Sequence, residues 1–129
     1  MRLMLLLAAI SGTTAAASSA GPTTLAAVDV PQGHGPQQVL VQTREFAAHT
    51  ESGWHKHPGI EIATLVDGEL ELHTAAGVLR LEEGDSFTMP RGVAHNGVNS
   101  EGTAAALVLT LVVDKGAPLR QAVAKPVGK

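Results

Sequence analysis

Two histidines and a glutamate lie close together in the segment SGWHKHPGIE, residues 52–61. His55, His57 and Glu61 would share one face of a strand, because side chains alternate between faces and all three have odd numbers. In a straight strand, however, His57 and Glu61 would lie about 13 Å apart, too far to share an ion bound at about 2 Å. We therefore expect a sharp bend at Pro58-Gly59, since proline donates no ladder hydrogen bond and glycine accepts unusual dihedral angles.

A fourth candidate, His95, follows the segment GDSFTMPRGVA, in which Pro90 and Gly92 predict a turn. Three imidazoles and one carboxylate suit a divalent transition metal, namely Fe, Mn, Ni, Zn or Cu, and leave positions open for a small-molecule ligand or substrate. The chain has no cysteine, so any metal site must use histidine and carboxylate ligands. The alternative is a polar pocket whose histidines are satisfied by the protein and hold no ion.

Short strands separated by glycine- and proline-rich turns are the elements that must position these side chains. The β-branched or apolar pattern of strands occurs at residues 39–43, 60–66, 69–73, 78–81, 86–89 and 104–113. Asp67-Gly68 predicts a two-residue hairpin between the second and third of these strands. Residues 104–113 are apolar at odd and even positions, which predicts a strand covered on both faces. The pattern indicates an all-β fold, an antiparallel sandwich or small barrel.

The two ends of the chain differ from this middle part in composition. Arg2, the apolar run at 3–10 and the small residues after it predict a signal peptide over residues 1–20, with a folded N-terminal helix as the alternative. The run is too short to span a membrane, so we expect a periplasmic or secreted protein with no membrane partner after cleavage. We further expect a flexible arm over 21–37, a barrel over 38–113 and a weakly ordered or surface-docked tail over 114–129.

The charge pattern argues against nucleic acid as a partner. The net charge is −3, and it becomes −4 when cleavage removes Arg2 with the leader. The nine Lys and Arg residues are scattered singly, and one Trp and two Phe offer little surface for stacking on bases.

The two chemistry-bearing segments resemble the two motifs of the cupin superfamily. Three residues separate His57 from Glu61 and six separate Glu61 from Gly68, as in the first motif, which His55 also matches. The fixed positions of the second motif are filled by Gly84, Pro90, Gly92, His95 and Asn99. One position departs from the pattern, because the glycine that opens the first motif would fall at His49, which we expect at the surface or rim.

The resemblance covers about residues 38–113 and implies a small double-stranded β-helix, or jelly-roll, barrel that often forms a homodimer. The metal that it implies in the barrel mouth would be held by His55, His57, Glu61 and His95. One functional hypothesis is a mononuclear metal-dependent dioxygenase, or a related isomerase or lyase, with Glu61 as a catalytic proton acceptor and a small chelating substrate. The other is a non-catalytic periplasmic module that binds a metal or small ligand, because this superfamily hosts both kinds of protein.

Overall fold

The computed structural model describes residues 22–27, 30 and 35–127. The predicted signal peptide, residues 1–20, lies outside the described residues, as does part of the predicted arm, so cleavage and export stay predictions. Within the described ranges all regular structure is β. No helix of those ranges is long and apolar enough to cross a bilayer.

In the described part of the chain, ten strands build two antiparallel sheets. In chain order they are β1 (Gln37–Phe46), β2 (Thr50–Glu51), β3 (His55–Lys56), β4 (Gly59–Asp67), β5 (Leu70–Thr74), β6 (Gly77–Leu81), β7 (Ser86–Met89), β8 (His95–Asn99), β9 (Ala105–Asp114) and β10 (Gln121–Ala122). One sheet has the order β1-β9-β4-β7, and the other has the order β10-β3-β8-β5-β6, with β2 also paired to β8. The predicted all-β, antiparallel fold is confirmed.

The hydrophobic core lies between the two sheets, because inward-facing side chains of both contribute to it. Leu107, Leu109 and Leu111 of β9 and Phe87 of β7, in one sheet, belong to one cluster with Leu72 of β5, in the other sheet. Alternate residues of β9 are buried, as expected when one face of a strand packs on a core.

The prediction that residues 104–113 are covered on both faces is wrong. The outward face of β9 is apolar but half-open, and Val108 keeps 38% of its surface exposed. On the neighbouring strand β1, Val39 and Val41 are 63% and 69% exposed. The even-numbered apolar residues of β9 thus belong to an aliphatic outer face of this sheet. No second layer of the described chain covers that face fully.

The predicted Asp67-Gly68 hairpin is also wrong. The strand before it, β4, pairs with β7 and β9, whereas the strand after it, β5, pairs with β6 and β8 in the other sheet. Gly68 therefore turns the chain from one sheet to the other, with a φ of 78°. The core explains the difference, because Leu65 and Leu70 on either side of the turn pack into it from opposite sheets.

Candidate metal centre

A corner between the two sheets carries the first three candidate ligands. His55 lies on β3, His57 follows it, and Glu61 lies on β4 in the other sheet. The carbonyl oxygen of Pro58 accepts hydrogen bonds from Arg91 Nη1, at 2.7 Å, and from the backbone N–H of Asp114, at 3.1 Å. The same chain reversal that the sequence predicts at Pro58-Gly59 is thus held in place from outside the corner.

Gly59 is required at this corner for a reason that differs from the predicted one. Its φ is not in the left-handed region, so unusual dihedral angles are not what the position demands. A Cβ at Gly59 would instead overlap the carbonyl oxygen of Val112 and lie 2.6 Å from the Cα of Val113. Only a residue without a side chain lets β4 approach β9 this closely at its first residue.

The second turn brings His95 to the same place. The backbone N–H of Gly92 donates to the carbonyl oxygen of His57 at 3.1 Å, which ties the two motif turns together. His95 then begins β8 directly opposite His55 on β3. The motif residue Asn99 ends β8 and is buried, and its side-chain amide donates to the carbonyls of Phe46, Ala47 and Thr103.

The four predicted side chains lie close together. The ring centroids of His55 lie 4.9 Å from His57 and 4.3 Å from His95, and those of His57 and His95 lie 5.2 Å apart. Oε2 of Glu61 lies 3.1 Å from Nε2 of His57 and 3.1 Å from Nε2 of His95. The three imidazoles are positioned to hold a metal ion, since one nitrogen of each lies within 4.8 Å of the others. Coordination by Glu61 stays a prediction.

Backbone carbonyls orient all three rings. Nδ1 of His55 lies 2.7 Å from the carbonyl oxygen of Gly53, Nδ1 of His57 lies 2.7 Å from that of Leu119, and Nδ1 of His95 lies 2.9 Å from that of Val93. A carbonyl oxygen only accepts, so each Nδ1 carries the hydrogen. In a neutral imidazole the lone pair is then on Nε2, the nitrogen that a metal would use.

The chemistry of this donor set fits a cation. With all three rings neutral, Nε2 lone pairs of His57 and His95 would face the Glu61 carboxylate at hydrogen-bond distance with no proton between them, which is repulsive. A divalent metal ion, with its positive charge, would remove that repulsion, and imidazole with carboxylate is a suitable ligand set for it. A proton on an imidazole can remove the same repulsion. The pKa values of the site depend on this interaction.

In the metal-free chain the pKa values of the site are spread apart. Burial lowers the pKa of His55 to about 4, which keeps this ring neutral. Burial also disfavours a charge on His57, but its hydrogen bonds with Glu61 and Leu119 outweigh that effect and raise its pKa. Burial would raise the pKa of Glu61, yet the bonds with His57 and His95 lower it to about 2. The carboxylate is therefore ionised and bonded to its neighbours.

The centre opens into a cavity of about 210 Å³. At about 30 Å³ for each water of the liquid, this is room for roughly seven water molecules. Its apolar lining includes Phe87, Leu109 and Leu111, whereas its polar lining adds Gln42, Thr43, Arg44, Ser52 and Arg120 to the candidate ligands. The cavity thus has room for a small organic molecule next to the three imidazoles.

The two arginines are residues that the sequence analysis missed. Arg44 lies on β1, where even-numbered residues face inward because Phe46 is buried and Arg44 pairs with Leu107 of the core. The even parity of Arg44, which it shares with Leu40 and Phe46, was a signal that could have been noticed, although β1 is polar at several other positions. Arg120 had no such signal, because it belongs to the tail and reaches the cavity through the pairing of β10 with β3.

The chain resembles known proteins in both sequence and fold. A family model described as a cupin domain matches residues 42–113. Among proteins with curated descriptions, none matches this chain. Many solved structures do.

One is a cupin domain of Bordetella pertussis, with 30% sequence identity and a TM-score of 0.51 over 67% of this chain and 91% of that one. Oxalate oxidase in complex with the substrate analogue glycolate is 26% identical, with a TM-score of 0.53 over 57% of this chain and 41% of that one. The DMSP lyase of Ruegeria pomeroyi is 20% identical, with a TM-score of 0.60 over 65% of this chain and 42% of that one, which shows a shared fold. The chain thus spans less than half the length of these two enzymes.

Proposed function

This chain belongs to the cupin domain family, and we propose that it binds a divalent transition metal through His55, His57, Glu61 and His95. The observation that carries the proposal is the orientation of the three rings. Each holds its Nδ1 hydrogen on a backbone carbonyl, so that a neutral ring turns the Nε2 lone pair towards the centre. If the three imidazoles only formed hydrogen bonds within the protein, their Nε2 atoms would have no reason to point towards the same place.

We propose further that the metal-loaded chain is an enzyme acting on a small chelating organic molecule. A bound divalent ion supplies Lewis acidity, and Fe, Mn or Cu adds redox chemistry. The cavity volume and its mixed polar and apolar lining support a small substrate. An oxygenase is the reaction class that we place first, with an isomerase or lyase as related possibilities, and the likeness to oxalate oxidase supports redox chemistry of a small acid in this fold.

Glu61 has two proposed roles, and its ionisation ranks them. A carboxyl whose pKa is about 2 is a weak base, so the role that suits it in the resting chain is that of a ligand. To accept a proton it must first loosen from His57 and His95, which now hold its Oε2. We therefore propose Glu61 as a ligand first and as a proton acceptor only during turnover.

A non-catalytic module that binds a metal or small ligand is the second candidate. It is favoured by the cavity lining, in which the described ionisable side chains beyond the four candidate ligands are the two arginines. Neither arginine is suited to proton transfer near neutral pH, because a guanidinium stays protonated. Any general acid or base would then have to be a ligand or a water molecule.

Metal analysis of the purified full chain tests the first proposal. We expect about one divalent ion per chain, nearly complete loss in His95→Ala, and an affinity lowered at least about tenfold in Glu61→Gln because one ligand charge is removed. Glu83→Gln, at an exposed position, is the matched control and should bind as the parent does. A parent chain without bound metal, or metal binding unchanged in His95→Ala, would refute the site.

Oxygen uptake with a panel of small diols, diketones and 2-oxo acids then separates enzyme from binding module. Uptake by the metal-loaded chain that disappears in His95→Ala supports the oxygenase. Full metal occupancy without turnover of any panel member supports the binding module.

We also propose export and a homodimer. Mass spectrometry of exported protein should find a start near Gly21, and an intact Met1 would contradict export.

The aliphatic outer face of β1 and β9, with Val39, Val41 and Val108 exposed, supports a dimer contact there. Sedimentation of the parent chain and of Val41→Lys tests this, because the lysine should convert a dimer into monomers.

A further inference from the structure

Two guanidinium groups line the cavity and have no acidic partner within the described residues. Of the described arginines, Arg80 is paired with Glu71 and Arg91 with Asp114, but Arg44 and Arg120 form no ion pair there. The only carboxylate in the cavity lining is Glu61, which is bonded to two imidazoles. The cavity therefore carries an excess of positive charge, although the chain as a whole has a net charge of −3.

Arg44 is the more informative of the two because its polar atoms are only partly satisfied. Its guanidinium carbon lies 4.7 Å from the centroid of the Phe46 ring, a cation–π contact on the inner surface of β1. Its Nε is buried and has no hydrogen-bond partner among the described residues. A buried donor without a partner is destabilising, and in native proteins such groups mark strained or functional positions.

Arg44 interacts electrostatically with both the second guanidinium and a candidate metal ligand. Burial is the main cause that lowers its pKa, followed by repulsion from Arg120, while attraction from Glu61 opposes both. All three residues line the same cavity. A divalent ion at the centre would add further positive charge to the same space.

Arg120 is held at the rim by the loop that also orients a candidate ligand. Its Nη2 donates to the carbonyl oxygens of Ser52 and, at 3.4 Å, Gly53. The carbonyl of Gly53 also accepts from Nδ1 of His55. The second guanidinium is therefore placed relative to the imidazoles by a shared acceptor.

We propose that the ligand of this cavity is a small organic carboxylate, bound through its oxygens by Arg44, with Arg120 assisting at the rim. Planar guanidinium groups match the geometry of carboxylates, and charge-assisted hydrogen bonds are stronger than neutral ones. The apolar lining at Phe87, Leu109 and Leu111 suits a short carbon chain, and the volume limits its length. This assignment deepens the proposed function, on which it rests, by naming the substrate class.

Calorimetric titration with a matched pair of probes tests the assignment. The acid 2-oxobutyrate and its methyl ester share the chelating keto group and the carbon chain, but only the acid has a carboxylate. We expect the metal-loaded parent chain to bind the acid at least about tenfold more tightly than the ester, as expected for hydrogen bonds to a charged group. Equal affinity for the two, or tighter binding of inorganic phosphate than of the acid, would overturn the proposal.

Substitutions then identify the group responsible. Arg44→Met, which keeps the length of the side chain without its charge, should weaken acid binding about 10-fold or more while leaving ester binding and metal content unchanged. Arg44→Lys should restore part of the loss, and Arg120→Met should have a smaller effect because Arg120 is exposed. Arg80→Met, whose side chain is 79% exposed and outside the cavity, is the matched control. Acid binding unchanged in Arg44→Met would refute the assignment.

The same titration on metal-stripped protein separates this proposal from the metal proposal. Acid binding that still depends on Arg44 in a chain that takes up no metal would support the carboxylate site and refute the metal centre. Normal metal content without preference for the acid would do the reverse. Circular dichroism of each variant confirms that it is folded before the titrations are compared.

Discussion

The two sides of the cavity satisfy their polar groups in opposite ways. On the ligand side, formed by His55, His57, Glu61 and His95, each ring is bonded to a backbone carbonyl and the carboxylate is bonded to two rings. On the guanidinium side, formed by Arg44 and Arg120, one donor is buried without a partner. The ligand side is thus oriented by the protein in advance, whereas the guanidinium side carries charge that the described protein does not neutralise.

This difference indicates what each side is built to receive. A metal ion demands lone pairs at a short, defined distance, so its ligands must be oriented before it binds. An anion can complete the hydrogen bonds of a guanidinium on arrival, so that side can remain incomplete. The first three predictions below test whether the two sides really differ in this way.

The largest effect is expected from Gly59→Ala, which should damage the ligand side. The new methyl group would overlap the backbone of Val112 and push β4, with Glu61, away from β9. We expect a loss of more than about 3 kcal/mol in the free energy of unfolding, together with weaker metal binding. Chemical denaturation measures it, and Gly102→Ala, where a Cβ meets nothing within 4 Å, is the control. Equal stability of the two variants would contradict this account of the corner.

The next effect concerns pH and the neutral ring of His55. Its pKa is about 4 in the folded chain against 6.5 for the free side chain, so the unfolded chain binds the extra proton first. Its contribution to the free energy of unfolding is therefore complete above pH 6.5 and is lost as the pH falls towards 4, by about 1–2 kcal/mol because water screens part of the interaction. His57, whose pKa is raised, contributes in the opposite direction, with stability that is lost as the pH rises through its folded pKa. Unfolding of metal-free protein at several pH values measures both trends, and a slope between pH 4 and 6.5 that persists in His55→Gln would contradict the assignment.

A smaller effect, of opposite sign, is expected on the guanidinium side. Arg44→Leu should stabilise the metal-free chain by about 1 kcal/mol, because it removes a partly buried charge without an acidic partner and leaves an apolar side chain beside Phe46. The matched change on the ligand side, His95→Leu, should destabilise it, since Val93 and Glu61 would lose a bonded neighbour. Thermal unfolding of both variants compares the two sides. Destabilisation of similar size in both would remove the contrast.

The smallest effect lies in the loop that follows the strand of Arg44. His49 has a φ of 57°, so the left-handed conformation is present where the first motif normally has glycine. His49→Gly should therefore stabilise the chain by about 0.5–1 kcal/mol, the difference between the strain of a side chain there and the entropy of glycine. His49→Ala, which keeps the strain, should give no such gain. A gain with alanine as large as with glycine would show that backbone strain is not the cause.

Sequence reasoning located the candidate centre well because its residues are placed by short-range rules. The spacing of His55, His57 and Glu61, with Pro58-Gly59 between them, required a bend, and the bend is present. The strands at β4, β6 and β7 were predicted within a residue or two of their observed ends. Alternation of side chains and the chemistry of turns act over a few residues, so they can be read from one segment at a time.

Strand pairing and the second side of the cavity needed the tertiary structure. Asp67-Gly68 has the residues of a hairpin, but the core draws the flanking strands into different sheets. Arg44 and Arg120 are 76 positions apart in the chain, and they line the same cavity only because β1 pairs with β9 and β10 with β3. By itself the sequence determined the ligand types, their spacing and the all-β character. The packing of distant strands around one core decided which faces meet. The reason is that the burial of a residue depends on the whole chain and cannot be read from the local sequence pattern.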